Sequence, residues 1–205
     1  RVACTVFTRG CNLRCPFCHN ASLVLGSDAD FNNDELFAFL RRRSGLLDGL
    51  CVSGGEPLLQ PDLGDFLREV KELGYAVKLD TNGTLPHRLK TVLEGGCVDY
   101  IAMDIKAAPA EYARAAGVEG FEFSTVLESM EVLRASGKQY EFRTTVVKGL
   151  HNESGLLEAA KLIRPDERWY LQQYVDNGGV IGTGLSAFSA EEMRGFCSVL
   201  AVAAP

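Results

Sequence analysis

Six apolar runs of strand length alternate along the chain with segments of helical periodicity, and this alternation limits the possible folds. The runs cover residues 2–8, 49–53, 76–80, 100–104, 141–147 and 169–174. Between them lie amphipathic stretches such as residues 63–73, where apolar side chains recur every three or four residues. Strands separated by helices run parallel, because each helix returns the chain to the start of the next strand. The pattern predicts an α/β fold, either an open doubly wound sheet or a full or partial α/β barrel.

Composition and charge restrict the class of protein further. No linker or low-complexity tract interrupts the alternation, so we expect residues 1–205 to form a single domain. The net charge of −6 disfavours binding to nucleic acid or to an anionic membrane. No apolar run reaches the roughly 18 residues of a spanning helix, and the first residues lack a signal-peptide pattern. We therefore expect a cytoplasmic protein with no membrane or nucleic-acid partner.

Three of the seven cysteines, Cys11, Cys15 and Cys18, lie in one short segment. Thiolates at this density favour zinc or an iron–sulfur cluster. Zinc would need a fourth ligand, and His19 is poorly placed to supply it because it adjoins Cys18. A four-iron cluster held by three cysteines leaves one iron open to a substrate or cofactor. The spacing therefore favours an iron–sulfur cluster over zinc, and both over disulfide bonds.

The remaining cysteines and two of the histidines belong to no motif. The cysteines occur singly in apolar surroundings, where a free thiol usually packs as a small hydrophobic group; they are Cys4, Cys51, Cys97 and Cys197. We expect these four in the core. His87 and His151 are expected on the surface.

Polar or glycine-rich motifs follow each of the first four predicted strands. After the cysteine segment, they are Gly54-Gly55-Glu56-Pro57, Asp80-Thr81-Asn82-Gly83 and Asp104-Ile105-Lys106. Ligands of parallel α/β folds bind at the carboxyl ends of the strands, so we expect these motifs to share one ligand-binding edge. Asp80 and Asp104 would end neighbouring strands, a costly pairing of carboxylates unless a cation lies near them.

The cysteine spacing after a first strand, combined with Gly-Gly-Glu-Pro after a second, resembles the radical S-adenosylmethionine superfamily. Segments 5–11, 18–20, 80–83 and 104–106 resemble the glycyl-radical-enzyme activases within it. Segments 78–83, 100–107 and 141–149 are most similar to the anaerobic ribonucleoside-triphosphate reductase activating proteins. The likeness covers nearly the whole chain and implies a partial (β/α)6 barrel of parallel strands. It also implies that a glycine-rich strand of the family, upstream of residue 1, is missing here.

The resemblance implies a set of site residues. Cys11, Cys15 and Cys18 would ligate three irons of a [4Fe-4S] cluster, with S-adenosylmethionine on the fourth. Phe17 would lie beside the adenine or cover the cluster. The other cofactor-binding residues implied are Gly54, Gly55 and Glu56 at the methionine moiety, Asp80 and Asp104 at a monovalent cation, and Lys106 near the cofactor.

The chain departs from the activases after the sixth strand, where they carry a histidine that approaches the adenosine. Here Tyr174 is followed by Val175, and the nearby polar candidates are Gln172 and Gln173. Arg143 matches a strand-five arginine of the activases, although an arginine in a strand is as often part of a surface ion pair.

The activity implied by the resemblance is reductive cleavage of S-adenosylmethionine at the cluster, followed by formation of a glycyl radical on a partner enzyme. The implied partners are an anaerobic ribonucleotide reductase and a one-electron donor such as flavodoxin or ferredoxin. No second cysteine group follows Cys18, so we expect a single cluster. Two alternatives remain, a radical S-adenosylmethionine enzyme that acts on a small molecule and a zinc-binding interaction module.

Overall fold

The computed structural model describes residues 2–26, 32–176 and 178–203. In these ranges the strands are β1 (Ala3–Thr8), β2 (Gly49–Gly54), β3 (Ala76–Thr81), β4 (Tyr100–Asp104), β5 (Gln139–Val146) and β6 (Trp169–Gln173). The α-helices are α1 (Ala21–Leu25), α2 (Asn33–Arg42), α3 (Leu63–Glu72), α4 (Pro86–Glu94), α5 (Tyr112–Ala116), α6 (Ser124–Ala135), α7 (Glu153–Ala160) and α8 (Ala190–Ala203). Short 3-10 helices cover Pro57–Leu59 and Pro109–Glu111. None of the described helices is long and apolar enough to cross a membrane.

The six strands form one sheet in which they follow their order in the chain, from β1 to β6. The register is parallel at β1–β2, β2–β3 and β5–β6. A doubly wound sheet would reverse its strand order at a switch point, whereas sequential order is the topology of a (β/α) barrel. The prediction of an α/β fold with six parallel strands in a partial (β/α)6 arrangement is confirmed, and each predicted strand ends within two residues of the observed one.

The described residues fall into two compact units. The first unit takes those within Arg1–Cys11, Ser22–Ala102 and Thr125–Tyr140. The second takes those within Asn12–Ala21, Met103–Ser124 and Glu141–Pro205. Each unit has buried apolar side chains of its own, and each carries part of the motifs found in the sequence.

The core of the first unit forms where α3 packs on β3. Leu67 and Val70 of α3 are fully buried, as the helical periodicity predicts. Gly74, at φ +87°, follows the end of this helix, because glycine adopts the left-handed conformation without steric cost. The start of α2 is capped by Asn32, whose side chain accepts a hydrogen bond from the Asp34 N–H at 2.9 Å.

The core of the second unit lies between α7, α8 and β6, around Val146, Leu156 and Phe188. A buried chain of hydrogen bonds fixes the strand ends above it. The Trp169 indole N–H donates to Thr144 Oγ1 at 2.9 Å, and Thr144 Oγ1 donates to the Ile105 carbonyl at 2.7 Å. The end of β4 is therefore tied to β5 and β6 just before Lys106.

The four isolated cysteines are less buried than the sequence predicted. Cys4, Cys51 and Cys97 are half-buried, and Cys197 is exposed on α8. The prediction of a core position is wrong for Cys197, because the apolar residues around it in the sequence point to a different face of the helix from the thiol. All seven cysteines are free thiols.

Candidate functional site

In the first unit, the turn after β2 packs against the backbone that leads into the cysteine segment. The Gly55 N–H donates to the Thr8 carbonyl at 2.9 Å, and the Glu56 N–H donates to the Gly10 carbonyl at 2.8 Å. A Cβ atom on Gly55 would overlap the Gly10 carbonyl oxygen, and one on Gly54 would overlap the backbone of Thr8. Gly54 also has φ +114°. The two glycines therefore allow two backbone segments to meet directly before Cys11.

The Glu56 side chain is fully buried and binds to its own chain. Its Oε1 accepts hydrogen bonds from Thr81 Oγ1 at 2.9 Å and from the Leu58 N–H at 3.1 Å. Its Oε2 accepts one from the Asn82 N–H at 2.7 Å. The carboxylate thus fastens the turn after β2 to the end of β3, and its predicted contact with a cofactor ammonium group stays a prediction.

Asn82, at the end of β3, makes a contact with the cysteine segment that the sequence did not reveal. Its side chain is 5% exposed, and Nδ2 donates to Cys11 Sγ at 3.7 Å. Its Oδ1 accepts hydrogen bonds from the Thr84 N–H at 3.0 Å and from Thr84 Oγ1 at 2.6 Å. The Asn-x-Thr pattern is a local signal for this turn, but nothing local points to Cys11.

Asp80 ends β3 on the side of the sheet that carries Ser53. Ser53 Oγ donates to Asp80 Oδ2 at 3.0 Å, and Lys78 Nζ donates to Oδ1 at 2.9 Å. The Asp80 side chain is 15% exposed. A lysine of the same strand therefore supplies a positive charge at this carboxylate.

Asp104, in the second unit, also accepts a hydrogen bond from a lysine two positions away, and an arginine lies at its other oxygen. Lys106 Nζ lies 2.8 Å from one carboxylate oxygen, and the Arg143 guanidinium lies 3.1 Å from the other. Burial favours a higher pKa for Asp104, but the two cations outweigh it and the pKa is lowered. Burial favours a lower pKa for Lys106, but Asp104 and the Cys15 thiolate raise it. Both groups are therefore charged, and Arg143 belongs to a largely buried ion pair rather than a surface one.

The cysteine segment of the second unit is anchored by two glycines. Gly117, at φ +66°, lies so close to the Arg14 carbonyl that a side chain would overlap it. The Gly182 N–H donates to the Pro16 carbonyl at 2.7 Å, and a Cβ there would contact Pro16 at 2.6 Å. Within the segment, the Cys18 N–H donates to the Cys15 carbonyl at 3.0 Å. These supports come from distant parts of the chain, so the sequence did not indicate them.

Phe17, between Cys15 and Cys18, is 5% exposed. Lys106 Nζ lies 6.0 Å from the centre of its ring, and the His151 ring meets it edge-on at 6.3 Å. The structure therefore brings Phe17, Lys106 and Asp104 together. The two glutamines named as polar candidates, Gln172 and Gln173, are the last residues of β6 and are both exposed, and the Gln173 side chain donates to the Phe188 carbonyl at 2.6 Å.

His151 is buried, with 6% of its surface exposed, so the prediction of a surface position is wrong. Gly149, at φ +98°, turns the chain after β5 so that His151 lies under the loop after β4. Its Nδ1 accepts a hydrogen bond from the Val147 N–H at 3.0 Å. Nε2 therefore carries the proton and donates to the Lys106 carbonyl at 2.7 Å. His87 is exposed, as expected.

We expect His151→Gln to lower the free energy of unfolding by about 1–3 kcal/mol at pH 7.5, because two buried backbone groups lose their partner. Burial lowers the pKa of His151. Because the unfolded chain then binds more protons, the wild type loses stability as pH falls below about 6.5, whereas the variant lacks this loss. Denaturant unfolding of the anaerobic protein should show a smaller difference in free energy of unfolding between wild type and His151→Gln at pH 5.5 than at pH 7.5. His87→Gln is the matched control. An equal difference at the two pH values would contradict the assignment of His151 as a buried, neutral side chain.

The donor atoms of the cysteine segment suit an iron–sulfur cluster. Cys11, Cys15 and Cys18 are free thiols, and a buried amide donor faces the Cys11 sulfur. Among the described residues, no three His, Cys, Asp or Glu side chains are gathered closely enough to hold a single metal ion. In a cluster each thiolate binds a different iron, so its ligands need not converge on one point.

Comparison with known proteins gives matches over most of the chain. The Radical SAM superfamily model matches residues 5–163. A Methanocaldococcus jannaschii protein named as a glycyl-radical enzyme activating enzyme is 30% identical over 181 residues, 85% of this chain and 73% of that protein. The AdoMet-dependent heme synthase of Methanosarcina barkeri is 33% identical over 145 residues, 69% of this chain and 41% of that enzyme.

A solved structure agrees with the fold. Streptococcus suis SuiB bound to S-adenosylmethionine has a TM-score of 0.76 to this chain at 14% identity, and the match covers 98% of this chain and 47% of SuiB. The chain thus spans less than half of SuiB and of the heme synthase. At this identity the likeness to SuiB concerns the fold alone.

Proposed function

The chain belongs to the radical S-adenosylmethionine superfamily, and from this membership we propose that it is an activating enzyme that generates a glycyl radical on a partner protein. The observation that carries the proposal is the similarity to the M. jannaschii activating enzyme, which extends over most of both chains. The Cys-x3-Cys-x2-Cys segment and the Gly-Gly-Glu turn lie within the part matched by the superfamily model.

Cys11, Cys15 and Cys18 would hold a [4Fe-4S] cluster whose fourth iron binds S-adenosylmethionine. When bound, the cluster supplies the electron for reductive cleavage of the cofactor's sulfonium. Gly54 and Gly55 keep the backbone of the turn against Thr8 and Gly10, and Glu56 fixes that turn to β3. These residues would present the backbone along which the methionine moiety lies.

We propose that Phe17 and Lys106 contact the adenosine side of the cofactor. Phe17 would face the adenine, and Lys106 would place its ammonium group beside the cofactor, oriented by Asp104. The monovalent cation implied by the resemblance stays a prediction. Asp80 and Asp104 each accept a hydrogen bond from a lysine, so a cation there would share the carboxylates with ammonium groups.

The partner would be a glycyl radical enzyme, and an anaerobic ribonucleotide reductase is favoured by segments 78–83, 100–107 and 141–149. The electron would come from a small donor such as flavodoxin or ferredoxin. In this role the protein would present S-adenosylmethionine to a glycine Cα of the partner and exclude water and other hydrogen donors.

We expect an anaerobic mixture of the reconstituted protein, S-adenosylmethionine, a reductant and a cognate glycyl radical reductase to give the doublet of a glycyl radical in electron paramagnetic resonance. The signal should be absent when any one of Cys11, Cys15 and Cys18 is replaced by alanine. Cleavage of S-adenosylmethionine without a doublet on any cognate glycyl radical protein would contradict the activase assignment.

A second candidate is favoured by the heme synthase relative, whose name indicates a small-molecule product. In that case the same residues would cleave S-adenosylmethionine, and the hydrogen donor would be a small substrate. Formation of 5′-deoxyadenosine that depends on a small molecule, and not on a protein partner, would distinguish this candidate.

Zinc without iron or sulfide in anaerobically purified protein would instead indicate the zinc-binding interaction module.

A further inference from the structure

A largely buried network of hydrogen bonds connects the Gly-Gly-Glu turn to the first cysteine. Glu56 Oε2 accepts from the Asn82 N–H at 2.7 Å, and Asn82 Nδ2 donates to Cys11 Sγ at 3.7 Å. We infer that Asn82 sets the reduction potential of the cluster by donating a hydrogen bond to the sulfur of Cys11. The inference rests on the proposed function, because it requires Cys11 to be a cluster ligand.

The orientation of the Asn82 amide follows from its other partners. Oδ1 accepts hydrogen bonds from the Thr84 N–H at 3.0 Å and from Thr84 Oγ1 at 2.6 Å. A reversed amide would place Nδ2 against the Thr84 N–H, so that two donors would face each other. Thr84 therefore holds the amide with its N–H2 group towards Cys11.

The environment strengthens the effect of this donor. Asn82 is 5% exposed and Thr84 is 8% exposed, so little water competes for the sulfur on their side. Reduction adds negative charge to a cluster and its thiolates, and a hydrogen bond to a ligand sulfur stabilises the more negative state. Asn82 thus makes the cluster easier to reduce, which matters for an enzyme that must accept an electron before it cleaves its cofactor.

Two variants separate the hydrogen bond from charge. Asn82→Asp keeps an acceptor for Thr84 but loses the N–H2 donor, and Asn82→Leu loses the donor without adding charge. At a fixed potential, we expect the ratio of reduced to oxidised cluster to fall roughly three- to tenfold in both, and a tenfold fall equals about 59 mV for a one-electron couple. The measurement is a redox titration of the reconstituted protein followed by electron paramagnetic resonance, with iron and sulfide determined on each sample.

Asn12→Asp is the charge control, because Asn12 is exposed and adjoins Cys11 in the chain. Equal reduction potentials in the wild type and Asn82→Leu would overturn the inference. A change of potential found only in Asn82→Asp and Asn12→Asp would overturn it too.

If neither Asn82 variant binds a cluster, Thr84→Val provides the test. That variant retains Asn82 but loses one of the two donors that orient the amide, so a smaller shift in the same direction supports the inference and an unchanged potential overturns it. A wild type that binds no iron would contradict the proposed function itself.

Discussion

Replacement of Cys15 by alanine should abolish iron binding and S-adenosylmethionine cleavage together. Cys15 is 7% exposed, and its carbonyl accepts a hydrogen bond from the Cys18 N–H, so the backbone between these two cysteines is held in a turn. Two remaining thiolates would leave two irons of a four-iron cluster without a protein ligand, and we expect such a cluster to be lost. After anaerobic reconstitution, we expect about four irons and four sulfides per wild-type chain, and almost none in the variant. Formation of 5′-deoxyadenosine should fall below detection.

Cys197→Ala is the matched control, because Cys197 is a free thiol exposed on α8. It should keep the iron, the sulfide and the activity of the wild type. Retention of a full cluster by Cys15→Ala would contradict the ligand assignment. About eight irons per wild-type chain, twice the content of one four-iron cluster, would contradict the expectation of a single cluster.

The strands were predictable because a buried parallel strand leaves a local trace. Val52 and Leu79, in the middle of β2 and β3, are almost fully buried, and runs of such residues end at glycine or aspartate. The first and last residues of the strands were less predictable than their central residues. β5 begins at Gln139, two residues before the predicted start, because the length of a strand depends on the neighbours it pairs with as well as on its own pattern.

The position of the motifs at the ends of strands was also predictable, since Gly54 is the last residue of β2 and Asp104 the last residue of β4. The contacts of their side chains were not. Glu56 binds Thr81 and Asn82, which follow it by 25 and 26 positions, and His151 binds the carbonyl of Lys106 across 45 positions. A motif shows which residue types are present, whereas a buried hydrogen bond depends on which distant segment the fold brings near.

Gly55 illustrates this difference between a motif and its contacts. From the sequence, Gly-Gly-Glu suggests that the absence of a side chain leaves room for the methionine moiety of the cofactor. In the structure, the space beside Gly55 is taken by the Gly10 carbonyl, whose oxygen accepts the Glu56 N–H at 2.8 Å. The glycine therefore permits contact between two parts of the protein, directly before the first cysteine.

We expect Gly55→Val to disturb the cysteine segment as well as cofactor binding. A Cβ at this position overlaps backbone, which cannot move aside as the end of a flexible side chain can, so either the turn or the segment from Gly10 to Cys11 must shift. Cluster content should fall well below that of the wild type, and affinity for S-adenosylmethionine should fall by at least about tenfold, equivalent to about 1.4 kcal/mol. Iron and sulfide analysis and cofactor titration measure the two effects.

The matched control is Gly64→Ala, because Gly64 lies in α3 and a Cβ there meets nothing within 4 Å. Alanine favours the helix by about 1 kcal/mol relative to glycine, so this variant should be at least as stable as the wild type and keep its cluster. Far-ultraviolet circular dichroism and thermal unfolding of both variants separate a local change from loss of the fold. If Gly55→Val kept a full cluster and lost only cofactor affinity, the space at Gly55 would serve the cofactor, and the contact with Gly10 would not be what requires glycine.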